Sequence, residues 1–146
     1  MKNVNDPTEA IRRQIEAFNA RDKEAFRATL CDDVEYIEVA FGRRTTTADE
    51  MVESAFAFLP VWPNVQAEVI NAFASGDQGA VELRWKGTHT GTFEMPGLRL
   101  PPSNHEFDFK AVMIVEGREG KVARCTYYFD VFGMFQNMGA TISGPQ

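Results

Sequence analysis

Asp130 is the carboxylate with the most suggestive surroundings. It lies in the run Tyr127-Tyr128-Phe129-Asp130-Val131-Phe132. Among such side chains a carboxylate loses hydration, and its pKa is expected to rise towards the range useful for proton transfer. Asp130 is therefore a candidate catalytic acid/base. It could instead cap the segment that follows, or pair with an arginine. His89, in Gly87-Thr88-His89-Thr90-Gly91, is the second catalytic candidate. An imidazole with a reference pKa near 6.5 could polarise a substrate oxygen or move a proton. It could equally donate to backbone at a sheet edge. Tyr36 and Tyr128 can each offer an O–H to a ligand while their rings pack. His105 reads as a rim residue, and Trp85, Phe107 and Phe109 as walls of a core or pocket.

The rest of the composition narrows the setting. The chain has 146 residues, 44% apolar and 25% charged, which fits one globular domain over 1–146. Its net charge of −6 argues against a phosphate-tracking nucleic-acid binder. No apolar run is long enough to cross a bilayer, and Met1–Asp6 lacks the apolar core of a signal peptide, so a cytoplasmic location is expected. Cys31 and Cys125 read as free thiols. Two histidines in no ligand spacing predict no metal site. The unusual number is 12 phenylalanines, which calls for a heavy core or an aromatic-lined cavity.

Periodicity supplies the elements. Asp6-Pro7-Thr8-Glu9 opens a helix whose stripe is Ile11, Ile15 and Phe18, and Asp22 can cap a second, short one. Val34 to Phe41 reads as a strand, with a turn at Gly42. Thr47-Ala48-Asp49-Glu50 opens a third helix, which Pro60 stops. From Val65 the period is two. Strands are predicted over Val65 to Phe73, Ala80 to Gly91, His105 to Glu116 and Lys121 to Phe132, with a loop from Thr92 to Asn104. Segregated helices and hairpin-linked strands mean an α+β domain with a mainly antiparallel sheet curled over the helices. Alternation puts Val81, Leu83, Trp85 and His89 on the apolar side of one strand. It puts His105, Phe107, Phe109 and Met113 on the apolar side of the next, and leaves Glu82, Arg84, Lys86, Asp108 and Lys110 on the other face.

This order resembles the cone-shaped (cystatin-like) fold of the nuclear transport factor 2-like superfamily, and most closely its SnoaL-like polyketide cyclase branch. The likeness covers a core of about residues 8–139, with a tail at 140–146. It rests on Ala17-Phe18-Asn19-Ala20-Arg21-Asp22, Phe41-Gly42-Arg43, Gly87-Thr88-His89-Thr90-Gly91, Leu100-Pro101-Pro102 and Gly120-Lys121-Val122 leading to Tyr127-Tyr128-Phe129-Asp130. The resemblance implies a hydrophobic pocket inside the cone and a homodimer through the outer sheet face. It implies no metal or organic cofactor, and an acid/base role for Asp130 in aldol-type cyclisation, isomerisation or dehydration of a small hydrophobic carbonyl or enol compound. A non-catalytic ligand-binding module of the same fold is the alternative. Epoxide hydrolases of this fold offer another. Tyr36, Arg84 and Asp130 match three of their five positions, while Glu38 and Lys86 replace the remaining two. That comparison turns Arg84 inward, against the alternation, unless a bulge intervenes.

Overall fold

A computed structural model describes residues 6–141 and 143–144 of the chain. Met1–Asn5, and residues 142, 145 and 146 of the expected tail, lie outside the described residues.

Three capped helices lie in the first half of the chain, two at its start and one after the first two strands. Asp6 accepts from the Thr8 amide at 2.8 Å and opens α1 (Pro7–Asn19), and Asp22 caps α2 (Lys23–Ala28). Thr47 caps α3 (Ala48–Phe56): its hydroxyl accepts from the Glu50 amide and donates to the Glu50 carboxylate, a capping box closed by the side chains. The α1 stripe is buried as its spacing predicts, with Ile11, Ile15 and Phe18 all in the core.

The strands are β1 (Leu30–Glu38), β2 (Arg43–Thr45), β3 (Gln66–Ser75), β4 (Gln78–Thr88), β7 (Glu106–Arg118) and β8 (Lys121–Phe129), separated by a small hairpin, β5 (Phe93–Met95) and β6 (Leu98–Leu100). The main sheet runs β2-β1-β8-β7-β4-β3, antiparallel except between β1 and β8. It curves over the helices. The end of α1 is fastened to the β3 edge by one side chain. Asn19 donates to the Ala67 carbonyl at 2.8 Å and accepts from the Ala67 amide at 2.9 Å, as a neighbouring strand would. Arg21 continues the seam by donating to the carbonyls of Phe18, Pro63 and Val65.

Several features depart from the sequence-based expectation: the first strand spans Leu30–Glu38 instead of Val34 to Phe41, and β4 ends at Thr88 instead of Gly91, which leaves His89 beyond the strand. The last strand ends at Phe129, not Phe132, because Asp130 accepts from the Gly133 amide at 2.8 Å and starts α4 (Val131–Asn137). The expected 92–104 loop contains the β5–β6 hairpin. A short β2 also follows the Gly42 turn. Arg84, by contrast, follows the alternation. β4 pairs with β7 without a register shift from Gln78 to Thr88, so no bulge turns Arg84 inward, and it donates to Asp108 on the outer face at 2.8 and 2.6 Å. Both cysteines are buried free thiols, and burial pushes Cys125 up to about 12.

Candidate active site

The concave side of the sheet and the three N-terminal helices enclose a cavity of about 100 Å³ that is partly open to solvent. A single water needs roughly 10–15 Å³ by this measure, so the space suits several waters or a compound of about ten non-hydrogen atoms. Phe18, Phe41, Phe58, Trp62, Phe107 and Phe129 form much of its wall. Trp85, Phe107 and Phe109 line it, as alternation requires, and Tyr36 enters from β1.

The polar groups of this wall come from a hairpin. Gly42 adopts φ +68°, a left-handed conformation that glycine takes without steric cost, and the chain doubles back. Glu38 and Arg43 then face one another across the β1–β2 ladder. Arg43 Nε and Nη2 donate to the two Glu38 carboxylate oxygens at 2.9 and 2.5 Å. The Glu38 side chain is 4% exposed and that of Arg43 31%. The guanidinium also covers the Phe58 ring, 4.9 Å from its centroid, which is a cation–π contact. Among the described residues no other lining side chain carries a formal charge, so the pair leaves that wall electrically balanced.

Two phenols flank the carboxylate. The Tyr36 hydroxyl lies 3.4 Å from Glu38, at the long limit of a hydrogen bond, and its ring stacks on Tyr127 at 6.5 Å. Burial, and then the negative charge of Glu38, push both hydroxyls well above the ordinary tyrosine range. Both therefore stay neutral at physiological pH and keep a proton to donate. Ser54 Oγ, also in the wall, is buried without a hydrogen-bond partner among the described residues, and Trp85 Nε1 is buried beside the Tyr127 hydroxyl. Together these groups can hold an oxygen-bearing apolar molecule beside a carboxylate.

The other sequence-derived candidates lie elsewhere. Asp130 is exposed, caps α4 and does not line the cavity, so the expected desolvation among aromatic side chains is corrected. The chain leaves the strand at that residue, and the carboxylate turns to the helix amides. Tyr128 is 47% exposed on the outer face, because period-two geometry opposes it to Tyr127. His105 is exposed just before β7, not inward with Phe107. His89 is wholly buried but lines no part of the cavity; Ser103 holds its Nδ1. The two histidines do meet at one end of the sheet, where the His89 amide donates to the His105 carbonyl at 3.0 Å. Of the water-adding arrangement, Tyr36 and Glu38 reach the cavity, whereas Arg84, Lys86 and Asp130 do not. Sequence reasoning gave no site role to Arg43, Ser54 or Tyr127, and met Glu38 only as a replacement in the water-adding comparison. The available signal was Glu38 and Arg43 placed symmetrically about a glycine turn.

With this geometry in hand, comparison with known proteins is decisive at one level. Residues 8–138 match the model of the SnoaL-like polyketide cyclase family. The chain belongs to that family. Among solved structures, a SnoaL-like polyketide cyclase candidate from Jannaschia sp. CCS1 superposes with a TM-score of 0.82 at 19% identity, covering 97% of each chain. A polyketide cyclase candidate from Xanthomonas campestris pv. campestris gives 0.81 at 21% identity, covering 94% of this chain and 99% of its own. AclR from Streptomyces galilaeus, described as a hydroxylase candidate, gives 0.76 at 20% identity over 96% and 89%. At such identities the likeness is one of fold, here the SnoaL-like α+β cone. A search of curated proteins finds no match. No helix among the described residues is long and apolar enough to cross a membrane.

Proposed function

We propose that this SnoaL-like chain is an acid/base enzyme acting on a small hydrophobic carbonyl or enol compound, with Glu38 as the proton carrier. The observation that carries the reading is a nearly buried carboxylate set beside two neutral phenols in an aromatic cavity. A carboxylate oxygen of Glu38 would take a proton from the carbon next to a substrate carbonyl. The Tyr36 or Tyr127 hydroxyl would donate a hydrogen bond to the enolate oxygen as charge develops there. The proton then returns to another carbon, which is isomerisation, or the carbanion attacks a second carbonyl whose oxygen takes the proton back from Glu38, which is aldol-type closure with dehydration as a later step. Arg43 fixes the carboxylate throughout.

The test uses 2-indanone in D2O, with loss of its α-proton signals followed by NMR. Wild-type protein should accelerate exchange above the buffer rate. Glu38→Gln should remove about a hundredfold or more of that acceleration. If Glu38→Gln exchanges as fast as wild type, the assignment is wrong.

A non-catalytic binding module is the second reading. It is favoured by the two hydrogen bonds from Arg43, which already engage both Glu38 oxygens. Binding of 2-indanone without any acceleration of exchange would select it. The reading also includes a homodimer through the outer sheet face, where Ile114 and Tyr128 are each 47% exposed. Light scattering showing a monomer at high concentration would remove that part.

A further inference from the structure

The β5–β6 hairpin is separate from the main sheet: among the described residues its strands pair only with each other. It nevertheless delivers Phe93, which is 0% exposed, into the aromatic wall. The Phe93 ring stacks on Phe58 at 5.5 Å and on Trp62 at 6.1 Å, and lies 6.2 Å from Phe41. These three rings line the cavity, and Phe93 stands directly behind them.

The hairpin is held at its base. The Asn104 amide donates to the His89 carbonyl, and the His89 amide to the His105 carbonyl. The Thr90 and Gly91 amides both donate to the Val61 carbonyl. A Cβ on Gly91 would come within 2.0 Å of the Pro60 carbonyl oxygen, so only glycine permits this approach. The His89 ring fills the base. Its Nδ1 accepts from the Ser103 amide at 3.3 Å and lies 2.9 Å from the Ser103 hydroxyl. A nitrogen that accepts from an amide carries no proton, so the clasp needs the neutral imidazole with its proton on Nε2. Burial opposes the charged ring most; the backbone of Gly91 and Leu100 favours it, the neighbouring His105 opposes it, and the balance lies below the usual histidine value.

We propose that the β5–β6 hairpin moves as one unit about this His89–Ser103 clasp, and that Phe93 is the plug that sets how large a ligand the cavity takes. Releasing the hairpin withdraws Phe93 from behind Phe58 and Trp62 and lets the wall recede. A second proton on His89 removes the acceptor of the Ser103 amide and loosens the clasp. The size function rests on reading the cavity as a ligand site; the motion does not.

Hydrogen exchange tests the motion without any ligand. The amides of 93–100 should exchange together, and faster than those of the β4–β7 ladder. After correction for intrinsic rates, lowering the pH from 7.5 to 5.5 should speed the hairpin by up to about tenfold, the factor set by an open-state pKa near 6.5. His89→Gln should abolish that pH step. Hairpin amides that exchange only with the main sheet overturn the proposal, as does a pH step that survives in His89→Gln. The size role is read by binding of 2-indanone and the larger anthrone. Phe93→Ala, or the gentler Phe93→Leu if the first unfolds, should raise anthrone affinity at least tenfold relative to 2-indanone. An unchanged ratio overturns the plug. If wild type and both variants bind neither ketone, the ligand-site reading fails and the plug with it, while the exchange experiment still decides the motion.

Discussion

Arg43 donates two hydrogen bonds to Glu38 across the β1–β2 ladder at the edge of the six-stranded sheet, and this places a nearly buried carboxylate in an aromatic cavity. Removing one partner leaves the other uncompensated. Arg43→Met should cost about 3 kcal/mol at pH 7, because the Glu38 charge would remain buried without its guanidinium. Glu38→Gln keeps one acceptor for Arg43 and sets an NH2 against its other N–H, but the unpaired guanidinium is more exposed than the carboxylate, so the cost should be smaller than for Arg43→Met. Urea denaturation of the two variants measures the difference.

The family resemblance points to Asp130, while the cavity points to Glu38. Asp130→Asn should keep 2-indanone exchange near the wild-type rate, since an asparagine still caps α4. Asp130→Ala should lose about 1 kcal/mol of stability through the missing cap. Loss of exchange in Asp130→Asn with an unchanged melting temperature would instead return the acid/base role to Asp130.

Asn19 closes the β3 edge with its side-chain amide. Asn19→Ala strands the N–H and C=O of Ala67, a residue 6% exposed. About 2 kcal/mol should be lost, or roughly 6 °C in a domain of this size. Differential scanning calorimetry checks it. Asn19→Asp should recover less than half, because a carboxylate cannot donate to the Ala67 carbonyl.

Burial lowers the His89 pKa below 6.5, so the folded state favours the neutral ring. Its contribution to stability is complete above the unfolded value near 6.5 and is lost as pH falls below it towards the folded value, because the unfolded chain then binds the proton more readily. Stability between pH 7 and pH 5 should therefore decline more steeply in wild type than in His89→Gln. Denaturant titrations at a series of pH values give the two slopes.

Local chemistry was read most securely. The caps at Asp6, Asp22 and Thr47 satisfy helix amides within a few residues, so their signals are contiguous in the chain. The alternation of Val81, Leu83 and Trp85 against Glu82, Arg84 and Lys86 settled both faces of β4, and with them the direction of Arg84. Failures came where a single residue ends one element and begins another. Tyr127 to Phe132 is apolar enough for a strand throughout, and only the turn of the Asp130 carboxylate towards Gly133 ends it at Phe129. His105 missed the apolar face because its strand starts one residue later.

The sequence by itself determined the α+β class, the order of the first three helices and the five long strands, the aromatic excess and the resemblance to the SnoaL-like branch, because each depends on composition or on spacing along the chain. Tertiary structure alone decided which acid meets the aromatic cavity. Glu38 faces Arg43 through a hairpin, the two tyrosines that flank it lie on different strands, and Phe93 reaches the wall on a hairpin outside the main sheet. Those contacts depend on register and on how far the sheet curls. Both are set by side chains meeting across the core rather than by neighbours in the chain.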